Sequence, residues 1–83
     1  MLKILYFAGL RERLGRREEQ IELPAEVATV VDLLRFLEAR GGSWQGLGRL
    51  RNLRCAVNQN IALFDAAIED GDEVALFPPV TGG

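Results

Sequence analysis

Val30, Leu33, Leu34 and Leu37 fall three and four residues apart, the most sustained helical stripe in the chain. Such a stripe buries one face of a single amphipathic helix. Thr29, with Asp32 three residues on, supplies the start signal of that helix. Gly41-Gly42 closes it, because helices end readily on glycine in left-handed geometry. The other apolar stretches repeat by twos or are too short for a helix. Leu2 to Phe7 is apolar on both faces, as a central strand is. Glu18 to Leu23 sets Glu19, Ile21 and Leu23 against Gln20 and Glu22, a second strand ended by Pro24 and hairpin-paired with the first. Leu53 to Val57 alternates again and turns at Asn58-Gln59-Asn60. Glu73 to Phe77 follows the turn Asp70-Gly71-Asp72 and stops at Pro78-Pro79. Gly9 to Gly15 reads as a short turn or helical piece, Ser43 to Asn52 as a loop, and Phe64 to Ile68 as a connector.

The order strand, strand, helix, strand, short piece, strand predicts an α+β fold, a mixed sheet with one main helix packed across it. With the first and last strands side by side, this is a β-grasp, the ubiquitin-like roll. Residues 1–77 form that domain and 78–83 an extended tail. A chain of 83 residues buries only about 60–65% of its unfolded surface, enough for one small core and no deep cleft.

Composition removes several kinds of chemistry. There is no histidine and one cysteine, which leaves no internal disulfide, no usual metal cluster and no Ser/His or Cys/His pair. A reducing, cytoplasmic setting is expected, with no export leader and no membrane span. The net charge is −2, and Lys3 is the single lysine among ten basic residues. No base follows Arg54, whereas Asp65, Glu69, Asp70, Asp72 and Glu73 do. That acidic third argues against nucleic acid on that face and for a basic partner or none.

Three tempting residues or runs have plain explanations. Cys55 alternates with Leu53 and Val57 on the inward side, whereas a reactive thiol needs exposure and a lowered pKa. Glu69 to Glu73 lacks the twelve-residue ligand spacing of a calcium loop and runs straight into a strand. Trp44 caps the edge of the core.

The tail FPPVTGG, Phe77 to Gly83, is different. Consecutive prolines hold the backbone extended, and the four residues beyond Pro79 reach about 13 Å. Gly82-Gly83 removes every side chain around the terminal carboxylate, so the backbone can thread a narrow channel. That carboxylate can attack the α-phosphate of ATP, giving an acyl-adenylate open to sulfur or nitrogen nucleophiles.

The stretches YFAGLRE (Tyr6 to Glu12), the helix opening at Thr29, AVNQ (Ala56 to Gln59), Phe64-Asp65 and DGDEVALFPPVTGG (Asp70 to Gly83) together resemble the small subunit of molybdopterin synthase, the MoaD-type sulfur carriers. Gly41 to Asn52 carries no pattern of that family. The resemblance implies a co-substrate more than an enzyme, a non-catalytic sulfur-donating subunit. An E1-like enzyme would adenylate Gly83 with ATP, and a sulfur donor protein would convert the adenylate to a thiocarboxylate. Gly82, Gly83 and the preceding Pro78, Pro79, Val80 and Thr81 would enter the large catalytic subunit. There the sulfur would pass to cyclic pyranopterin monophosphate, in a heterotetramer of two small and two large subunits. The resemblance further implies an apolar docking patch at Phe7, Ile61 and Phe77, with Arg11 as a polar contact, and no cofactor or metal bound by the chain. A carrier for thiamine thiazole synthesis and a ubiquitin-like protein modifier share the fold and the diglycine. FPPVT and YFAGLRE favour molybdopterin.

Overall fold

A computed structural model describes residues 1–50 and 52–78. Five strands form one mixed sheet in the order β2-β1-β5-β3-β4. They are β1 Leu2–Tyr6, β2 Glu18–Ile21, β3 Arg54–Val57, β4 Asn60–Ala62 and β5 Glu73–Phe77. β1 and β5 run parallel at the centre, and every other pairing is antiparallel. The helix α2, Val30–Glu38, crosses one face, while the shorter α1, Gly9–Leu14, links β1 to β2. This is the β-grasp architecture that the order of elements predicts.

The sequence explains why α2 begins where it does. The Thr29 hydroxyl accepts from the Asp32 N–H at 3.3 Å, and the Asp32 carboxylate accepts from the Thr29 N–H at 3.2 Å. Asp32 is held below the usual carboxylate range, first by the Ala28 N–H and then by Thr29. Gly41 and Gly42 follow the helix with φ of 76° and 56°, the conformation that favours glycine. The apolar stripe Val30, Leu33, Leu34 and Leu37 is buried against Leu2, Ile4, Tyr6, Val74 and Leu76 of the central strands. Cys55 joins that core at 1% exposure. Its Sγ donates to the Ala62 carbonyl at 3.2 Å, and burial pushes its thiol pKa up. These are the opposite of the conditions for a reactive cysteine.

Two parts of the reading need correction. Asn60–Ala62 is a short fifth strand on the sheet edge, where alternation over three residues is too brief to register. Residues 42–50 contain two 3-10 turns, Gly42–Trp44 and Leu47–Arg49, and bury Leu47 completely. Trp44 does sit at the core edge. Its ring meets Tyr6 edge-on at 5.6 Å and lies beneath Arg40 and Arg16 at 4.5 and 5.4 Å. No helix among the described residues is long and apolar enough to cross a membrane.

Candidate docking face and tail

Strand alternation divides the sheet into a face under α2 and an open one. Leu2, Ile4 and Tyr6 point inward and are fully buried, so Lys3, Leu5 and Phe7 belong to the open face. Registers then build rows across the strands. Leu5 pairs with Ala75, Ala75 with Ala56, and Ala56 with Ile61. One step nearer the tail, the Phe7 N–H donates to the Leu76 carbonyl at 3.2 Å, which brings Phe7 beside Phe77. Phe77 in turn pairs with Arg54, and Leu63 follows directly after β4.

The result is an apolar surface with small residues at its centre. Ala56 and Ala75 are only 7% and 8% exposed, whereas Phe7, Ile61 and Leu63 show 41%, 75% and 76%. Neither Phe7 nor Phe77 belongs to the core cluster. An apolar patch of this kind on a small monomer marks a binding surface. The structure therefore brings Phe7, Ile61 and Phe77 onto one face. Arg11 is exposed on α1, which follows β1 at that end, and Pro78 leaves β5 half-buried. Pro79, Val80, Thr81, Gly82 and Gly83 lie outside the described residues.

Leu5, Ala56, Ala75, Leu63 and Arg54 were missed as members of this face. Counting back two residues from Phe7 and Phe77 would have found Leu5 and Ala75. The others depend on how β3 registers against β5 and β4, which no local pattern encodes.

The acidic third is not where the tail leaves. Glu69, Asp70, Asp72 and Glu73 gather at the entry to β5, the opposite end from Phe77. Asp70 pairs with the Met1 ammonium at 2.6 Å. Asp72 accepts from Asn58 Nδ2 at 3.0 Å and from the Glu69 N–H at 2.8 Å, and these bonds hold its carboxyl below the usual range. The acids thus close the turn into β5, at the opposite end of that strand from Phe77 and Pro78.

Behind the sheet, a groove of about 790 Å³ lies between α2 and the 3-10 turns, lined by Val31, Leu34, Arg35, Arg49, Leu50 and Phe64 among others. It faces away from the open sheet. Among the described residues no three His, Cys, Asp or Glu side chains gather as a metal site would require.

Comparison with known proteins adds a lineage. The sequence model of the ThiS family matches residues 4–83. The molybdopterin synthase sulfur carrier subunit of Escherichia coli is 42% identical over 83 residues, covering 100% of both chains. Its counterpart from Haemophilus influenzae is 37% identical, again over 100% of both. Among solved structures, the small archaeal modifier protein SAMP1 of Haloferax volcanii superposes with a TM-score of 0.77 at 30% identity, covering 99% of this chain and 98% of its own.

Proposed function

The chain belongs to the ThiS family and, within it, to the molybdopterin synthase sulfur carrier subunits, and from that premise we propose that it carries sulfur as a thiocarboxylate on Gly83. The full-length relationship to such carriers, which extends over the diglycine end, is the observation that carries the reading. The Gly83 carboxylate attacks the α-phosphate of ATP on an E1-like partner, releasing pyrophosphate and leaving a glycyl adenylate. A persulfide on a donor protein attacks the glycyl carbon and displaces AMP. A thiol then reduces the acyl disulfide so formed, releasing the thiocarboxylate and leaving the donor sulfur in a disulfide with that thiol. The large subunit of molybdopterin synthase receives the loaded tail and passes its sulfur to cyclic pyranopterin monophosphate, regenerating the carboxylate. Two deliveries complete one dithiolene, which suits a heterotetramer of two small and two large subunits. The chain supplies the terminus and a docking face, works in a reducing cytoplasm and holds no cofactor of its own. ATP is consumed by the activating enzyme.

Each part of the chain has a task in this scheme. The open face, with Phe7, Ile61 and Phe77, gives both partners an apolar landing area in turn. Pro78 and Pro79 stiffen the exit, so little entropy is lost when the tail enters a channel. Val80 and Thr81 follow into the passage, and Gly82 and Gly83 fit its narrowest part.

Intact mass after incubation with ATP, a sulfur source and the activating enzyme tests the reading. The full chain gains the difference between sulfur and oxygen, and the chain lacking Gly83 gains nothing. A modifier role has one specific observation in its favour, the structural likeness to SAMP1. Conjugates joined through Gly83 to lysines of other proteins, formed without thiocarboxylate, would establish that role instead.

A further inference from the structure

The row of the open face nearest the tail is apolar at Phe7, Phe77 and Leu63 and cationic at one place, Arg54. We propose that Arg54 selects the partner: it demands a carboxylate, Asp or Glu, set within an apolar surface at the mouth of the channel that receives the tail. This inference rests on the sulfur-carrier reading and deepens it by giving the chemistry of the surface that docks.

Register carries the first step. Arg54 pairs with Phe77 and lies two residues from Ala56, whose partner is Ile61. Its side chain therefore leaves the sheet on the docking side, where it is exposed. The second step is the lack of an internal counter-ion. Among the described residues the ion pairs are made by the amino terminus, Lys3, Arg16 and Arg40. The acids at the entry to β5 are about 13 Å away along the strand, and Asp70 and Asp72 are committed to Met1, Asn58 and the Glu69 N–H.

Docking turns that guanidinium, unpaired among the described residues, into a filter. A partner that covers Phe7 and Phe77 also strips water from Arg54. A purely apolar surface leaves the charge buried and unpaired, which is strongly unfavourable. A carboxylate accepts two parallel N–H bonds from the planar fork and restores the balance. The same group thus attracts the right partner and rejects a merely greasy one. Arg11, exposed at the same end, adds to the positive potential that steers encounter.

The test measures binding of the molybdopterin synthase large subunit to the full chain and to Arg54→Gln, Arg54→Glu and Arg54→Leu, at low and high ionic strength. Arg54 is exposed, so the variants fold, and thermal melts verify it. The expected losses at low salt are about tenfold for Arg54→Gln and about a hundredfold for Arg54→Glu, with a flatter salt dependence in the glutamine variant. Arg54→Gln matching the wild type, or Arg54→Leu binding as tightly or more so, overturns the inference while leaving the carrier reading intact. If the wild-type chain neither binds the large subunit nor forms a thiocarboxylate, both fall together.

Discussion

Glu19 stands on the inward side of β2, where an unpaired carboxylate would be strongly disfavoured. Three groups make the position tenable. The Tyr6 hydroxyl donates to it at 2.7 Å, and Arg40 donates to both its oxygens at 2.8 and 2.9 Å. Arg16 approaches at 3.3 Å. Burial alone would raise the Glu19 pKa, but Arg40 and Tyr6 together hold it below its ordinary value. Burial and then Glu19 itself push the Tyr6 phenol well above its ordinary value. Stability from Glu19 is therefore fully present above its unfolded pKa of about 4.3 and fades as pH falls through the lower folded value. Stability from Tyr6 is present below about pH 10 and fades as pH rises beyond it. Glu19→Gln should lower unfolding free energy by about 2 kcal/mol at neutral pH, since it leaves Arg40 half-buried without its charge partner. Urea titrations at neutral pH and near pH 3 should show the variant losing less stability on acidification than the wild type.

At the scale of elements, the β3–β4 hairpin holds both a correctable strain and an explanation of what sequence hides. Asn58 and Gln59 have φ of 51° and 70°, as a two-residue turn with positive φ at both central positions requires. Asn58 fits well: its Oδ1 accepts from the Glu73 N–H at 3.0 Å while its Nδ2 binds Asp72. Gln59 gains nothing comparable. Gln59→Gly should stabilise the fold by about 0.5–1 kcal/mol, since glycine adopts that φ without strain. A thermal melt should move up by about 4 °C. The turn at Asn58-Gln59-Asn60 was legible from composition, and so were α2, its capping pair and β5, because each carries its signal within a few neighbouring residues. The strand it leads into was not, because Asn60, Ile61 and Ala62 complete too few alternations. Glu19 was legible as an inward position of β2, yet its partners Tyr6 and Arg40 lie 13 and 21 residues away in sequence. The same limit hid Arg54, whose meaning depends on which β5 residue faces it.

At the scale of the whole molecule, the sheet divides its side chains by face, and on the proposed reading stability falls to one side and recognition to the other. The inward side carries the fold, and the open side carries Phe7 and Ile61 with much of their surface in water. Phe7→Ser and Ile61→Ser should each change unfolding free energy by no more than about 0.5 kcal/mol. Each should nevertheless weaken binding of the large subunit about tenfold, as loss of an apolar anchor does. Calorimetry of the free chain and titration of the pair, run side by side, would reveal any failure of that separation. The burial of Cys55 has a consequence for how sulfur travels. A persulfide on a donor protein exchanges readily with any accessible thiol, and a carrier with a reactive cysteine would divert its own cargo into a side-chain dead end. Here the one thiol is buried in the core from the inward face of β3 and hydrogen-bonded to Ala62. If sulfur rides on Gly83 as proposed, the folded domain acts as an insulator, and traffic has a single terminus at which to arrive and from which to depart.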